Sequence, residues 1–251
     1  MTHRRFLTNL VRRTANRLGY DIVRRGNSVT EREVLRRLFR NNQVNMVVDV
    51  GANEGQFAAN LRTIGYRGRI YSFEPSALAH ARLIDAASGD AAWKIGPRVA
   101  CGSEAVAGYL NVSNNSVSSS ILHMTTLHED AAPGSSVGRM EEIEIVPLDC
   151  VMTEESVKEA AILLKIDTQG YELEVLRGAP RTLGRTNVVL VELSCVELYR
   201  AQPLFYEICA FLCERGFRLA DIVPGLRDRT SGDILQFDGE FVRDVSERKP
   251  E

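Results

Sequence analysis

The stretch VVDVGANEG, residues 47–55, has the residue types of a turn that holds a nucleotide. An apolar, β-branched run ends in Asp49, and Gly51 and Gly55 follow in the spacing DxGxxxG. A dinucleotide fingerprint needs GxGxxG, because the middle glycine lets the backbone approach a pyrophosphate. Here that position is Asn53, whose side chain would obstruct the approach. The turn therefore favours a nucleoside cofactor that lacks a diphosphate.

A second acid supports the nucleoside interpretation. Glu74 ends the strand-like run RIYSFEP and follows Asp49 along the chain. A carboxylate at that place can accept hydrogen bonds from both vicinal hydroxyls of a ribose. We therefore predict S-adenosylmethionine (SAM) as the cofactor, bound by Asp49, Gly51, Ala52, Asn53, Gly55, Glu74, Pro75 and Ser76. Two alternatives stay open at this point, a dinucleotide and a glycine turn that holds no ligand.

A second group of polar side chains follows the most apolar strand-like run of the chain. In LLKIDTQGYE, residues 163–172, polar and apolar residues alternate up to Asp167. The carboxyl end of a central parallel strand lies close to a ligand held at the first strand. Asp167 could therefore be a general base or bind a divalent metal ion, and Glu192, at the end of VVLVELS, could pair with it. Nothing further in the sequence supports a metal.

Two histidines are weaker candidates. His123 and His128 lie beside acids in LHMTTLHED, which we predict to be a loop. We include His128 with Asp167 and Glu192 as a candidate catalytic residue, and a plain surface loop is the alternative. The histidine spacing of five does not put both on one helix face, and no third metal ligand is evident.

The preceding stretch, NNSVSSSIL at 114–122, is rich in hydroxyl and amide groups. It could contact the methyl acceptor, or the cofactor carboxylate through Ser118, Ser119 or Ser120. A plain flexible loop is the alternative. Much of 113–139 is predicted to be a mobile lid or insertion.

Strand-like and helix-like segments alternate from Met46 onward, and this order predicts the fold. The clear strand-like runs are 46–50, 69–75, 141–149, 161–167, 187–194, 217–223 and 233–238, with a weaker signal over 93–112. Apolar residues at helical spacing lie between most of them. This alternation predicts an α/β fold with a doubly wound, mostly parallel sheet, helices on both faces and an antiparallel closing strand pair.

Composition excludes several classes of protein. The 251 residues carry a formal net charge of −2, which is not the basic footprint of a nucleic-acid-binding domain. No apolar run approaches the ~18 residues of a membrane span, and arginines interrupt every apolar run near the N-terminus before a signal peptide can form. Five scattered cysteines without a CxxC pair are typical of reduced thiols. We therefore predict a cytoplasmic protein.

The first 44 residues form a predicted helical extension to a domain at 45–245. Up to Arg25 the chain has a single acid, Asp21, and seven arginines, Arg4, Arg5, Arg12, Arg13, Arg17, Arg24 and Arg25. Such a segment could make peripheral contact with an anionic membrane, or it could be a solvated helix that packs on the domain. A second helical pattern begins at Thr30, with Glu33 completing a capping box.

Taken together and in order, VVDVGANEGQFAANLR, IYSFEPS, VPLDCVM, LLKIDTQGYELEVLRGA and VVLVELS resemble the FkbM-type family of SAM-dependent methyltransferases. The resemblance covers about 46–242 and leaves out the arginine-rich segment. It implies a Rossmann-like, seven-stranded sheet and methylation of hydroxyl oxygens, in many members on sugars of glycolipids or on natural products. It also implies that Asp49, Gly51, Asn53 and Gly55 form the SAM turn, that Glu74 is the ribose acid and that Asp167 is the active-site acid.

The predicted function is therefore SAM-dependent O-methylation of a small-molecule or glycolipid acceptor. An NAD(P)-dependent oxidoreductase lacks support because the middle glycine of GxGxxG is missing. A nucleic-acid methyltransferase is disfavoured because the DPPY or NPPY signature is absent and the charge is balanced. A non-catalytic interaction protein with the SAM-binding fold is the remaining alternative.

Overall fold

The computed structural model describes residues 31–244, with the side chains of 31–34 left out. The chain divides into two compact units, Met1–Leu38 and Phe39–Glu251. In the described part of the first unit the predicted second helix is present, since helix α1 is Glu31–Asn41. The predicted cap Thr30 and the arginine-rich segment lie outside the described residues.

The described residues form ten strands: β1 (Met46–Val50), β2 (Arg69–Phe73), β3 (Trp93–Ile95), β4 (Ala100–Gly102), β5 (Val106–Ser113), β6 (Val137–Pro147), β7 (Ile162–Ile166), β8 (Thr186–Ser194), β9 (Phe217–Pro224) and β10 (Gln236–Arg243). After α1 they form eight further helices: α2 (Gln56–Thr63), α3 (Ala77–Ala87), α4 (Thr126–Ala131), α5 (Leu148–Val151), α6 (Glu154–Val157), α7 (Glu172–Arg177), α8 (Pro180–Gly184) and α9 (Phe205–Cys213). Strands and helices alternate through most of this order, as the sequence predicts.

Seven strands form the main sheet, in the order β3-β2-β1-β7-β8-β10-β9. The first five run parallel, and β10 is antiparallel to both β8 and β9. This confirms the predicted Rossmann-like, doubly wound, mostly parallel sheet and its antiparallel closing pair. The strand order reverses between β1 and β7, and ligands of such sheets bind at the carboxyl ends of the strands at this point. Asp49 on β1 is paired in register with Lys165 on β7.

The main core lies on one face of the central strands. Met46, Val48 and Val50 of β1 pack with Leu164 and Ile166 of β7, and all five are buried. Helices cover both faces of a parallel sheet, so its central strands read as continuous apolar runs. That is why the sequence pattern identified β1 and β7 so clearly.

A second, three-stranded sheet, in the order β4-β6-β5, was not predicted. Strand β6 pairs antiparallel with β5, and Ile143 and Ile145 pack with Leu110 and Val112 of β5. The alternation in EEIEIV therefore belongs to a sheet with one buried face, as antiparallel sheets often have. Strand β6 begins at Val137, so the stretch predicted as a lid or insertion contains ordered elements.

Two strand boundaries also differ from the prediction. The strand predicted to include Asp149 ends at Pro147, and helix α5 follows it directly. The last strand is β10, shifted toward the C-terminus relative to the predicted 233–238. The sequence pattern did not indicate that the strand continues through Gly239 and Glu240, because glycine and acids are depleted in strands. A Cβ at Gly239 would stand 2.6 Å from Leu193 Cδ1, so close packing against β8 accounts for this glycine.

Candidate active site

The cofactor turn is folded tightly against the ends of β2 and β7. The backbone N–H groups of Gly51 and Ala52 both donate to the carbonyl of Phe73, at 3.1 and 3.0 Å. Gly51 has φ +77°, and a Cβ there would overlap the carbonyl oxygen of Asp167 and stand 2.8 Å from its carbonyl carbon. Glycine is required at this position because two backbones cross without room for a side chain.

The second half of the turn leads into α2. Gly55 is the N-cap of α2 with φ +90°, and a Cβ there would stand 2.9 Å from the ring of Trp93. Asn53 also has a left-handed backbone, with φ +48°. Its amide nitrogen lies 3.4 Å from the hydroxyl of Ser116, and its buried Oδ1 has no hydrogen-bond partner among the described residues. The side-chain oxygen of Asn53 is therefore a hydrogen-bond acceptor without a donor in the described part of the chain.

Glu74 closes the turn from the end of β2. Its Oε2 accepts the backbone N–H of Asn53 and its Oε1 that of Ser76, both at 2.9 Å. Burial raises the pKa of this carboxyl to about 7. Ser76 is the N-cap residue of α3, but its hydroxyl makes no capping hydrogen bond. Pro75 accepts a hydrogen bond from Arg98 through its carbonyl at 3.1 Å.

Lys165 carries a positive charge into the centre of the site. Its ammonium lies 3.4 Å from Asp49 and 3.3 Å from Asp167, and 5.5 Å from the ring centroid of Phe57. Burial disfavours the charged lysine, but Asp167 and Asp49 outweigh this and raise the pKa of Lys165. Burial also raises the pKa of Asp49, against the effect of Lys165. One cation therefore links the cofactor turn to the predicted catalytic acid.

Asp167 and Glu192 are joined through one side chain. The Nε2 of Gln169 donates to Asp167 Oδ1 at 2.9 Å and to Glu192 Oε2 at 2.6 Å. Its Oε1 lies 2.7 Å from the hydroxyl of Tyr199, a donor. Burial, followed by the charge of Asp167, raises the pKa of Glu192 well above its usual value. The predicted carboxylate pair is therefore present, with an amide between the two acids.

The backbone between these groups is held in place by Glu172, the first residue of α7. Its Oε1 accepts the N–H of Thr168 and that of Gly170, both at 3.0 Å, and lies 3.3 Å from the Thr168 hydroxyl. Gln169 and Gly170 both have left-handed backbones, with φ +55° and +98°. Glu172 therefore fixes the backbone on both sides of Gln169.

The sequence match agrees with this geometry. Residues 49–219 match the sequence profile of the Methyltransferase FkbM domain. The chain belongs to the FkbM methyltransferase family. SAM is accordingly its cofactor. No curated protein matches the chain in sequence.

Several solved structures align with this FkbM methyltransferase. A ribosomal RNA methylase from Streptococcus thermophilus has 11% identity and a TM-score of 0.44, over 84% of this chain and 95% of that one. A precorrin-6y C5,15-methyltransferase from Geobacter metallireducens has 10% identity and a TM-score of 0.40, over 88% and 93%. A TehB-like SAM-dependent methyltransferase from Corynebacterium glutamicum has 12% identity and a TM-score of 0.39, over 94% and 97%.

The groups around the turn suit SAM better than a dinucleotide. Asp49 and Glu74 are buried carboxyl groups at the turn, and a pyrophosphate would place further negative charge beside them. Each carboxylate oxygen of Glu74 already accepts one N–H and keeps a lone pair for a ribose hydroxyl. The unpaired Oδ1 of Asn53 adds an acceptor for a hydroxyl or amino group. The donor set of this FkbM methyltransferase therefore fits a nucleoside that carries no phosphate.

The prediction that His128 lies in a loop is wrong. His128 is in helix α4, is 2% exposed, and packs on the ring of Tyr199 with centroids 5.0 Å apart. Neither ring nitrogen has a hydrogen-bond partner among the described residues, and burial lowers its pKa. The helix is only six residues long, which is too short for a helical period to show in the sequence. A buried imidazole has no access to an acceptor, so Asp167 and Glu192 are the remaining candidate catalytic residues.

The serine-rich segment after β5 packs over the site. Ser120 donates its hydroxyl to the carbonyl of Gln169 at 2.6 Å, and the carbonyl of Ser118 lies 3.1 Å from the Tyr199 hydroxyl. Ser119 donates to the carbonyl of Ser116 at 3.0 Å. Ser120 therefore ties the segment to the loop that carries Gln169, Ser118 ties it to Tyr199, and Ser119 closes a turn within the segment, contacts that the sequence alone did not indicate.

A polar cleft of about 470 Å³ opens beside the cofactor turn. Hydroxyl, amide and guanidinium groups dominate its lining, which includes Ser76, Arg82, Ser113, Asn114, Asn115, Ser116 and Arg139. Arg82 is paired with Glu54, and Arg139 with Glu141 at 2.6 Å. Within residues 31–244 no group of three or more His, Cys, Asp or Glu side chains is arranged to hold a metal ion. In the same part of the chain no helix is both long and apolar enough to cross a membrane.

Two residues with contacts to the predicted site residues escaped the sequence analysis. Lys165 and Gln169 both stood in the motif, but neither was assigned a role. The signal for Lys165 was a polar residue inside an otherwise apolar strand, at the level of Asp49 in the neighbouring strand. The sequence gives a weaker indication for Gln169, because the left-handed backbone that turns its side chain toward the two acids cannot be read from residue types.

Proposed function

We propose that this FkbM methyltransferase transfers the methyl group of SAM to a hydroxyl oxygen, on a sugar of a glycolipid or on a natural product. The observation that carries the proposal is the pair Asp167 and Glu192, joined through Gln169 beside the cofactor turn. An ionised carboxylate only accepts hydrogen bonds, so Asp167 of this pair suits an acceptor group that donates one. The family resemblance supports the same chemistry.

In the proposed complex the turn holds the nucleoside and amino-acid parts of SAM. Glu74 accepts hydrogen bonds from the ribose, with Pro75 and Ser76 beside it, and Asn53 offers its free oxygen to the same ligand. Gly51, Ala52 and Gly55 shape the backbone of the turn. Asp49 lies behind them, where its carboxyl group pairs with the ammonium of Lys165. When bound, SAM supplies a methyl carbon on a positively charged sulfur and leaves as S-adenosylhomocysteine.

Asp167 is the proposed general base. Its side chain is 38% exposed, so an acceptor hydroxyl can reach it, whereas Gln169 and Lys165 fix it from behind. Asp167 would take the proton of the acceptor hydroxyl, so that the oxygen can accept the methyl group that bound SAM would release from its sulfur. Since a sugar hydroxyl is a poor nucleophile at neutral pH, this proton transfer is expected to contribute substantially to the rate. Glu192 is the second acid of the pair, and it accepts the other hydrogen bond of the Gln169 amide.

The acceptor is proposed to be a small molecule or a glycolipid. The family resemblance supports such an acceptor, and the net charge of −2 gives no attraction for a polyanion. The absence of nucleic acid among its partners stays a prediction. So do cytoplasmic localisation and membrane contact through the arginine-rich segment, which lies outside the described residues.

A direct test follows methyl groups from labelled SAM into acceptors. Purified protein is incubated with methyl-labelled SAM and with separate extracts of glycolipids, polar metabolites and RNA. Label in a glycolipid or metabolite, as a methyl ether identified by mass spectrometry of the product, is the expected result. Label in RNA alone, or on nitrogen or carbon, would contradict the proposal. Calorimetry with SAM and NAD on the same preparation tests the cofactor separately.

The affinity for SAM is expected to fall as the pH falls through about 7. Glu74 must be ionised to accept hydrogen bonds from both ribose hydroxyls, and burial raises its pKa in the free protein to about 7. The ionised fraction then drops from about nine-tenths at pH 8 to one-tenth at pH 6, so the Kd should rise about tenfold. Titration calorimetry with S-adenosylhomocysteine over this range measures the effect.

The Glu74→Gln variant is the control for this pH dependence. It should bind more weakly than the wild type at pH 8 and lose most of the change between pH 6 and 8. A wild-type Kd that stays constant over this interval would show that Glu74 does not bind the ribose as an anion. The stability of the fold depends on pH in the opposite direction from SAM binding. Between pH 4.5 and 7 Glu74 is mostly protonated in the folded protein and mostly ionised in the unfolded chain. Stability of the ligand-free protein therefore decreases as the pH rises through this window.

A further inference from the structure

We infer that Gln169 is a positioning residue: its carboxamide holds Asp167 and Glu192 at one spacing, and Tyr199 fixes the orientation of that carboxamide. Neither Gln169 nor Tyr199 acts on the acceptor itself in this arrangement. The inference rests on the proposed function for its meaning in catalysis, but its geometry stands without it.

The first argument is the use of every polar atom of the Gln169 side chain. Two hydrogen bonds leave Nε2, to Asp167 at 2.9 Å and Glu192 at 2.6 Å, and one hydroxyl meets Oε1, from Tyr199 at 2.7 Å. Two acceptors on one side and a donor on the other allow a single orientation of the amide. Burial raises the pKa of Tyr199, so its hydroxyl keeps its proton, and of the two acceptors that it faces, Gln169 Oε1 at 2.7 Å is nearer than the Ser118 carbonyl at 3.1 Å.

The second argument is the repulsion that the amide offsets. Desolvation raises the pKa of Glu192, and the charge of Asp167, which faces the same site, raises it further. An amide N–H₂ donates one hydrogen to each acid and stabilises the ionised form of both. A glutamate at 169 could not do so, because its own charge would add to the repulsion.

The third argument is the backbone that presents this side chain. Gln169 is 8% exposed and has φ +55°, a conformation that is uncommon for residues other than glycine. Ser120 donates to its carbonyl at 2.6 Å, and Glu172 accepts the N–H groups on both sides of it. Backbone strain of this kind persists where the surroundings impose it, and it clusters at functional sites.

The experiment measures the titration of Glu192 directly. Protein labelled with ¹³C in the glutamate carboxyl carbons is titrated by NMR, and the Glu192 resonance is assigned from the Glu192→Gln variant. In Gln169→Leu the lost donor is expected to raise the pKa of Glu192 by about one pH unit or more. Gln169→Glu should raise it further, and Tyr199→Phe should raise it by less, because only the orientation of the amide is released. An unchanged Glu192 titration in both Gln169 variants would overturn the inference.

Gln202→Glu is the matched control for a buried glutamine changed to glutamate. Gln202 is 7% exposed, and its Oε1 accepts the N–H groups of Leu198 and Tyr199, so a carboxylate can replace it. Its variant should leave the Glu192 titration much closer to wild type than Gln169→Glu does. Thermal melts of all variants identify any that fail to fold. If Gln169→Leu does not fold, the near-isosteric Gln169→Glu variant alone tests the inference.

Kinetics then connect the titration to catalysis. With an accepted hydroxyl substrate, the acidic limb of the pH–rate profile should move to higher pH in Gln169→Glu, with little change in the Kd for SAM. A lower rate with an unmoved limb would indicate a merely structural role and contradict the inference. If the wild type methylates no hydroxyl, the proposed function fails, whereas the NMR titration still decides the role of Gln169.

Discussion

Replacing Asp167 with asparagine is expected to lower kcat for methyl transfer by about 10²- to 10⁴-fold, the range for loss of a general base. Asparagine keeps an oxygen for the hydrogen bond from Gln169 but cannot take the acceptor proton at neutral pH. Lys165 keeps its second partner, Asp49, so the site should stay assembled. The Kd for SAM is therefore expected to change little. Single-turnover rates with labelled SAM, together with calorimetry, measure the two quantities.

The control for Asp167→Asn is Asp85→Asn, on the exposed side of α3. Asp85 loses the same charge far along the chain from the proposed base, and its variant should turn over at the wild-type rate. Near-normal turnover by Asp167→Asn would show that the base is elsewhere. A large loss of SAM affinity in that variant would instead assign Asp167 to cofactor binding.

Replacing Gly51 with alanine is expected to give the largest loss of stability of any single methyl group added to the turn. The new Cβ would overlap the carbonyl oxygen of Asp167, and the position has φ +77°. The overlapping atoms are backbone, so the ends of β1 and β7 would have to separate. Overpacking and left-handed strain together predict a cost of about 3 to 5 kcal/mol. Chemical denaturation measures this cost, and calorimetry on any folded fraction should show no SAM binding.

Gly65→Ala separates the two contributions. Gly65 has a similar left-handed backbone, with φ +99°, but a Cβ there would meet no atom within 4 Å. Its variant should lose only the cost of the conformation, about 1 kcal/mol. Equal losses in the two variants would mean that close packing between the turn and β7 is not what requires Gly51.

Much of the fold could be predicted because its strands carry strong one-dimensional signals. Strands β1, β7 and β8 are buried on both faces and bounded by turns, so each reads as a β-branched apolar run. The three-stranded sheet escaped because β4 is three residues long and β5 exposes half of its length. Its strands gain their partner only through non-local pairing with β6, which local pattern does not encode.

The sequence by itself determined the family, the cofactor class and the acids at the carboxyl ends of the strands. Those conclusions depend on residue types at fixed spacings. A glycine turn followed by two acids at strand ends indicates a nucleoside-binding site before any contact is known. The tertiary structure decided which of these groups touch. Register places Lys165 beside Asp49, a left-handed backbone turns Gln169 between two acids, and a short helix buries His128 against Tyr199. Such contacts arise from pairing and packing between distant segments, and for that reason no local pattern contains them.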